Sequence, residues 1–239
     1  MTPPAPNPIV TFRHVTKLYT NVPGVTDLSF EWPAHRIIGV IGPNGGGKST
    51  ILKLASGLLH PTSGEVLVDG VPQNGRIRPE VAFLPDSDAL YPFYTVAEMT
   101  AFCGGVFPAF DTARARALVD FLELSPNTRV GALSKGGKER LKLALTLARP
   151  ASLVLLDEPL SGLDPLVRES IVRGLLSFLD LEHQTIVLAT HEVADVEPVL
   201  DEVVLVHRGR IQGAASVEAI HAHGYRKGLV GWMAEAIGG

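Results

Sequence analysis

Apolar residues fall into short runs separated by turn residues along this 239-residue chain, and the periodicity of the runs changes from one part to the next. Between residues 9 and 70, the runs IVTFRHV, LSFEW and GEVLVDG have the pattern of β-strands. RIIGVIG differs because it is apolar on both faces, as a central parallel strand must be, and it leads through a glycine loop into the helical pattern STILKLASGLL. The sequence therefore predicts a strand–loop–helix unit within a β-rich first part.

Helical patterns dominate from about residue 95 to residue 149. Thr95 and Glu98 have capping-box spacing in TVAEMTAF, and Asp111 is a suitable N-cap for DTARARALVDFLEL. The strand pattern returns in SLVLLDE and TIVLAT, on either side of a helix predicted to have Asp164 as N-cap and Pro165 in its first turn. This order favours an α/β fold with a mostly parallel sheet covered on both faces and a helical subdomain inserted in the core.

Composition limits the classes of function. The chain is 46% hydrophobic, carries a formal net charge of −4 and has no run of basic residues, so we expect no nucleic-acid partner. Its single cysteine, Cys103, excludes an internal disulfide and fits a reducing cytosol. MTPPAPNPIV lacks the features of a secretory signal, and the apolar runs are shorter than the roughly 20 residues that span a bilayer. We therefore expect contact with a membrane only through a partner.

GPNGGGKS, residues 42–49, has the pattern of a phosphate-binding loop between a strand and a helix. Glycines let successive backbone N–H groups converge on phosphates, and the helix N-terminus adds a favourable field. Lys48 supplies a charge for the β- and γ-phosphates, while Ser49, with Thr50 beside it, is placed to bind Mg²⁺. The predicted nucleotide-binding residues of this loop are Gly42, Pro43, Asn44, Gly45, Gly46, Gly47, Lys48, Ser49 and Thr50.

Three polar side chains directly follow predicted strands, at the carboxyl end of the sheet where α/β proteins hold ligands. Asp157 is predicted to bind Mg²⁺, and Glu158 to polarise the attacking water as a general base. His191 follows TIVLAT, and beside such a site we expect it to hydrogen-bond the γ-phosphate. Lys48, Glu158 and His191 are the predicted catalytic residues.

LSKGGKERL, residues 133–141, is a second helix start with the features of an anion site. The Ser134 hydroxyl, the Gly136 amide and the helix N-terminus would offer donors to an anion, and Lys135 would add positive charge. A single phosphate loop leaves the γ-phosphate side of a nucleotide open to water, so efficient hydrolysis needs a second wall.

With these motifs, the chain resembles the ATP-binding subunit of an ABC transporter from about residue 9 to residue 214. GPNGGGKST corresponds to Walker A, LSKGG to the signature, LVLLDE to Walker B, SGLDP to the D-loop and His191 to the switch histidine. The resemblance places Tyr19 where the family stacks an aromatic ring on adenine; the alternative is an ordinary tyrosine at a strand end. FLPD, LSKG and FPAFD are most similar to the subgroup that drives type-two ABC exporters.

The resemblance implies that two subunits associate head to tail, so that one subunit's signature closes over the nucleotide of the other. Asp164 of the D-loop would communicate across that dimer. The implied cofactor is Mg²⁺ with ATP. The implied partners are a second ATPase subunit, either identical or a paralogue, and a transmembrane permease that holds this cytoplasmic chain at the inner face of the cell membrane. The signature residues that would act in trans are Ser134, Lys135, Gly136 and Gly137.

Two departures from the family pattern matter. Asp86 stands where the family has the Q-loop glutamine, which links the metal and attacking water to the transmembrane partner. Because a carboxylate also binds Mg²⁺, we predict Asp86 as a metal contact beside Ser49 and Asp157; the alternative is a solvated loop aspartate. In the signature, Lys135 replaces a common glycine and Gly137 a common glutamine.

The resemblance also implies a domain organisation. We expect a flexible tail at residues 1–8, an ABC ATPase domain at 9–215 and a C-terminal helical extension at 216–239. The ATPase domain would combine a RecA-like core, an N-terminal antiparallel β subdomain and a helical subdomain at about 87–150. An apolar stripe, Leu229, Trp232, Met233 and Ile237, predicts that the extension packs on its own domain; the alternative is a contact with a partner.

Three further questions stay open in the sequence. LYPFYT, with Tyr91, Phe93 and Tyr94, either lines a groove for a permease helix or belongs to the subdomain's own core. A soluble ABC ATPase without a permease is an alternative, although the chain has no long coiled coil and no second cassette. A stand-alone P-loop kinase or GTPase is another, but it leaves LSKGG and SGLDP unexplained, and no N-K-x-D guanine motif is present.

Overall fold

The computed structural model describes residues 8–20, 22–73, 75, 78–87 and 90–238, so the predicted flexible tail lies outside it except for Pro8. The strands are β1 (Pro8–Tyr19), β2 (Val22–Pro33), β3 (Ile37–Ile41), β4 (Ser63–Val68), β5 (Val71–Pro72), β6 (Val81–Leu84), β7 (Leu153–Asp157), β8 (Thr185–Thr190), β9 (Glu202–His207) and β10 (Arg210–Ser216). The helices are α1 (Lys48–Ser56), α2 (Val96–Val106), α3 (Thr112–Phe121), α4 (Lys135–Leu147), α5 (Pro165–Leu175), α6 (Val193–Val196), α7 (Val217–His223) and α8 (Gly228–Gly238).

The strands form two sheets, which confirms the predicted α/β fold class. One sheet is antiparallel, with the order β2-β1-β4-β5. The other has the order β10-β9-β3-β8-β7-β6, and all its neighbouring pairs are parallel except the β9–β10 hairpin. This arrangement matches the predicted core sheet and N-terminal antiparallel sheet.

Two apolar clusters cover the faces of the larger sheet. In β3, every residue is buried, and alternate side chains point to opposite faces. Ile38 and Val40 pack with the antiparallel sheet and α1, whereas Ile37 and Ile41 pack with the helices of the other face. Burial on both faces explains why RIIGVIG has no polar alternation.

Helix starts follow the predicted caps. Thr95 and Glu98 form both hydrogen bonds of a capping box at α2, and the Asp111 side chain accepts from the Arg114 N–H at α3. The helix α1 ends earlier than the pattern STILKLASGLL predicted, because Gly57 takes a left-handed C-cap conformation with φ +81° and closes the helix.

Helices α2, α3 and α4 lie in the chain between β6 and β7, and they pack on one another. At the C-terminus, α8 covers the core through the predicted stripe: Leu229 is fully buried, and Trp232, Met233 and Ile237 pack against the same apolar cluster. None of the helices in the described ranges has the length and apolar character needed to cross a bilayer.

Candidate active site

Four parallel strands end at one edge of the larger sheet, and each leads into a loop that carries candidate residues. Ile41 of β3 lies opposite Thr190 of β8, and Asp157 of β7 lies opposite Ala189 of the same strand. Leu84, the last residue of β6, pairs with Leu156. Because the strands are parallel and in register, the loops that follow them meet at this edge.

A cleft of about 480 Å³ opens there, a size suited to a nucleotide-sized ligand. It is lined by Pro23, Gly24, Asn44, Gly45, Gly46, Gly47, Lys48, Ser49, Thr50, Asp86, Glu158, Ser161 and His191. The predicted residues Gly42, Pro43 and Asp157 do not line the cleft but contact residues that do.

The glycine loop between β3 and α1 is shaped by backbone geometry that side chains would block. A Cβ on Gly42 would lie 2.0 Å from the Val206 carbonyl oxygen, and φ at this residue is +148°. Gly47, with φ +111°, is the N-cap of α1 and has no side chain to bind the first-turn N–H groups. These amides at a helix N-terminus therefore face the cleft as donors for an anion.

Lys48 is buried at the floor of the cleft. Its Nζ donates to the carbonyl oxygens of Gly42 at 2.9 Å and Pro43 at 3.2 Å, and it lies 3.5 Å from Oε1 of Glu158. The ammonium is thus held at the centre of the phosphate loop by the loop's own backbone.

Ser49 and Asp157 form the group best suited to a hard cation. The Ser49 hydroxyl donates to Asp157 Oδ1 at 2.9 Å, and the Asp157 side chain is almost fully buried. Its Oδ2 is buried without a hydrogen-bond partner among the described residues. Burial raises the pKa of the Asp157 carboxyl, while the Ser49 hydrogen bond opposes the rise. A buried carboxylate oxygen without a donor, beside a hydroxyl, fits the oxygen ligands that Mg²⁺ takes.

Glu158 and His191 touch each other at the cleft wall. His191 Nδ1 donates to Glu158 Oε1 at 3.0 Å, so the imidazole presents Nε2 on its opposite side. Glu158 is the first residue after β7 and has a left-handed backbone, with φ +49°, which its N–H stabilises by donating to the Ala189 carbonyl at 2.9 Å. As a result, the Glu158 side chain lines the cleft, whereas the neighbouring Asp157 side chain is buried.

The family model of ABC transporters matches residues 25–161, more than half of the chain. The chain belongs to the ABC transporter family. Nod factor export ATP-binding protein I of Burkholderia lata is 36% identical over 209 residues, which are 84% of this chain and 68% of that protein. Sulfate/thiosulfate import ATP-binding protein CysA of Burkholderia mallei is 30% identical over 225 residues, 90% of this chain and 64% of that protein.

A solved dimeric bacterial ABC transporter cassette has the same fold, with a TM-score of 0.77 at 23% identity over 87% of this chain and 98% of that one. This chain is accordingly an ATP-binding subunit of the ABC family and an ATPase. The family assignment excludes the stand-alone kinase and GTPase. It leaves the type-two exporter subgroup untested, because the relatives named above include one export and one import protein.

Asp86 and Tyr19, the predicted metal and adenine contacts, differ in their relation to the cleft. Asp86 lines the cleft, and its charge adds to the effect of burial in raising the pKa of Asp157. Tyr19 is half-exposed, with its ring against Gly24 and its hydroxyl 3.4 Å from Thr50 Oγ1. The Tyr19 ring therefore lies beside the cleft and does not line it.

The predicted signature residues do not line the cleft of their own chain. Ser134 is the N-cap of α4, and its Oγ accepts from the Gly137 N–H at 3.1 Å, which leaves the hydroxyl hydrogen available to donate. A Cβ on Gly136 would lie 3.0 Å from the carbonyl oxygen of Gly162, in the D-loop. The signature and the D-loop thus pack tightly against each other.

Residue-based reasoning missed several participants of the site. Pro23 and Gly24 line the cleft but were not predicted. Ser161 of SGLDP also lines it, whereas the sequence indicated only Asp164 of that motif. The Asp164 carbonyl accepts from the Arg168 N–H at 3.0 Å, as expected at the start of α5. The serine of SGLDP follows Glu158 by three residues, so its proximity to Walker B could have indicated it.

Proposed function

We propose that this ABC ATPase energises a type-two exporter, and that its hydrolysis site is completed by a second ATPase subunit, either an identical copy or a paralogue. The observation that most supports a site completed by a second subunit is the separation of the two sets of anion donors within one chain. The cleft holds Lys48, Glu158 and His191, while the signature at the start of α4 is outside it. A head-to-tail dimer would place one chain's signature over the other chain's cleft.

The cleft residues take distinct roles in this proposal. Lys48 and the first-turn amides of α1 bind the β- and γ-phosphates. Glu158 orients and polarises the attacking water, and its Oε1 is already held by His191 Nδ1 and approached by Lys48. His191 Nε2 lies on the side of the ring away from Glu158 and would contact the γ-phosphate. Tyr19 would stack on adenine.

Ser49, Asp157 and Asp86 would hold Mg²⁺ together with the nucleotide phosphates. The orphaned Oδ2 of Asp157 and the Ser49 hydroxyl support this set. When bound, the ion would neutralise negative charge on the phosphates. The carboxylate of Asp86, in place of an amide, brings a formal charge to the metal side of the cleft.

In the proposed dimer, the signature supplies the missing wall. The Ser134 hydroxyl, the Gly136 amide and the α4 N-terminus are donors for a γ-phosphate bound by the other subunit. Lys135 packs on Gly162 through its methylenes and adds positive charge at this surface. The Gly137 N–H donates to the hydroxyl oxygen of Ser134, the N-cap residue of α4. Asp164, in the same loop as Gly162, would face the second subunit.

Exposed aromatic side chains support a permease as the further partner. Phe93 is 62% exposed and Tyr91 44% exposed, next to the loop that carries Asp86. Tyr91 also contacts Tyr94 and Phe102 edge-on, so the patch is anchored to the helical subdomain while its outer rings face solvent. We infer that this patch binds a cytoplasmic segment of the permease and that the chain is thereby peripheral to the inner face of the cell membrane.

Affinity purification of the tagged chain from a detergent extract tests this function. We expect a multispanning membrane protein to co-purify with the wild-type chain and to be lost with Tyr91→Ser/Phe93→Ser. Val71→Ser, a change of an apolar side chain of similar exposure on β5, is the matched control and should retain the partner. Recovery of the wild-type chain without any multispanning protein would favour a soluble ABC ATPase.

A further inference from the structure

Lys142 is a buried charged residue with no part in the site described above. It lies on α4, the helix that begins with the signature, and its side chain is only 4% exposed. A buried ammonium is costly unless it is paired and hydrogen-bonded. Its partners therefore indicate what the residue stabilises.

Three oxygen atoms lie close to the Lys142 ammonium, two from backbone carbonyls and one from a carboxylate. Its Nζ donates to the carbonyl oxygens of Pro85 at 3.0 Å and Ser87 at 3.2 Å, and it pairs with Glu139 Oε2 at 2.8 Å. The two carbonyls belong to the residues on either side of Asp86. Lys142 thus fixes the backbone on both sides of the Q-loop carboxylate.

The charges around this loop show why such an anchor is needed. Burial raises the pKa of the Glu139 carboxyl; Lys142 opposes the rise, and the charge of Asp86 adds to it. Asp86 also contributes to raising the pKa of Asp157. The charge of Asp86 therefore acts on two buried acids, Glu139 and Asp157, with a repulsion that a glutamine would not introduce. The ammonium of Lys142 opposes the effect on Glu139.

We propose that Lys142 is a positioning residue that holds Asp86 toward the cleft and links the signature helix to the metal side of the site. This inference rests on the proposed role of Asp86. Because Ser134 caps the helix that carries Lys142, a movement of the signature on dimer closure would be passed to the loop through the two carbonyl contacts.

The obvious variant, Lys142→Met alone, would leave Glu139 buried and unpaired and could fail to fold. The double variant Glu139→Met/Lys142→Met removes both charges at similar volume. Arg140→Met is the matched control, because Arg140 is on the same helix and donates to a backbone carbonyl, that of Leu122 at 2.8 Å, away from the Q-loop. Each change is made in the wild-type chain and in an Asp86→Ala chain.

Two measurements are made: steady-state ATPase kinetics with Mg²⁺, and hydrogen exchange of the Asp86 and Ser87 amides without nucleotide. In the wild-type background, the double variant should lower kcat by about tenfold with KM within twofold, since small displacements at a reacting site have large effects. The exchange of the two amides should become faster. In the Asp86→Ala background, the kinetic effect should fall below twofold, and Arg140→Met should have little effect in either background.

An equal loss of kcat in both backgrounds would overturn the proposal, because Lys142 would then act independently of Asp86. Unchanged amide exchange would also overturn it, because Lys142 would then not anchor the loop. If the wild-type chain itself does not hydrolyse ATP, the proposed function fails. In that case the exchange measurement still decides whether Lys142 anchors the Asp86 loop.

Discussion

His191 and Glu158 are joined by a hydrogen bond of 3.0 Å from Nδ1 to Oε1, although the residues are 33 positions apart and follow different strands. Lys48 Nζ lies 3.5 Å from the same carboxylate oxygen. The Glu158 carboxylate is therefore held by a hydrogen bond from His191 and by the nearby charge of Lys48, so it has a defined orientation before any nucleotide binds. Pre-organisation of this kind is what proximity effects in catalysis require.

His191→Ala should lower kcat for ATP hydrolysis by about 10²-fold or more, because it removes both the partner of Glu158 and the proposed phosphate contact. Nucleotide affinity should stay within a few-fold, since the α1 amides and Lys48 remain. The control is His183→Ala, an exposed histidine that also pairs with a carboxylate, Asp180, at 2.9 Å but lies outside the cleft. Equal activity of the two variants would contradict the proposed role of His191.

Asp157→Asn should stabilise the nucleotide-free protein by on the order of 1 kcal/mol at neutral pH while abolishing Mg²⁺-dependent hydrolysis. The wild-type carboxyl has a raised pKa because it is buried. A group with a raised pKa favours the folded state when protonated, and this contribution is lost as the pH rises through the folded-state pKa. The stability difference between variant and wild type should therefore grow as the pH rises above the ordinary carboxyl pKa of 3.8 and level off once the pH passes the raised pKa of the folded state.

Urea unfolding in EDTA at several pH values measures this difference. Asp120→Asn, at an exposed position on α3, is the control and should show no such pH dependence. A constant difference between Asp157→Asn and wild type across the pH range would show that the buried charge is not its cause.

Arg168→Met should lower the free energy of unfolding by about 2–4 kcal/mol, because it leaves two partly buried carboxylates without their partner. Arg168 Nη1 pairs with Asp195 Oδ2 at 2.9 Å and with Glu192, and its Nε donates to the Leu163 carbonyl at 2.9 Å. The arginine thus joins the D-loop to the segment that follows His191.

Arg173→Met is the matched control on the same helix. Arg173 pairs with Glu169 at 3.0 Å, but both side chains are mostly exposed, so its loss should change the free energy of unfolding by less than about 1 kcal/mol. Similar unfolding curves for the two variants would show that the Arg168 network contributes no more than a surface ion pair.

Local signals in the sequence predicted the elements whose boundaries depend on nearby residues. The capping box of Thr95 and Glu98 was confirmed because both of its hydrogen bonds are three residues apart in the chain. The hairpin of β9 and β10 was not predicted. Its turn, with φ +49° at Arg208 and +72° at Gly209, uses an arginine where asparagine or aspartate is usual.

The site residues whose positions follow from the order of parallel strands could be predicted from the sequence. Asp157, Glu158 and His191 meet because parallel strands end at one edge, a rule that applies to any such sheet. The contacts of Lys142 with Pro85 and Ser87 could not be predicted, because they join residues 57 and 55 positions apart through the packing of α4. A lysine on a helix is usually solvated, and its own sequence context carried no sign of burial.

The central claim is that ATP joins two chains through one chain's signature and the other's cleft, and Glu158→Gln tests it most directly. Removing the base should stop hydrolysis and preserve ATP binding, so the closed dimer should persist. We expect light scattering after size exclusion to give twice the 25.5 kDa chain mass in ATP and Mg²⁺, and the monomer mass without nucleotide. Glu158→Gln/Ser134→Ala should dimerise at least tenfold more weakly. A Glu158→Gln chain that binds ATP and remains monomeric at saturating nucleotide would contradict the account.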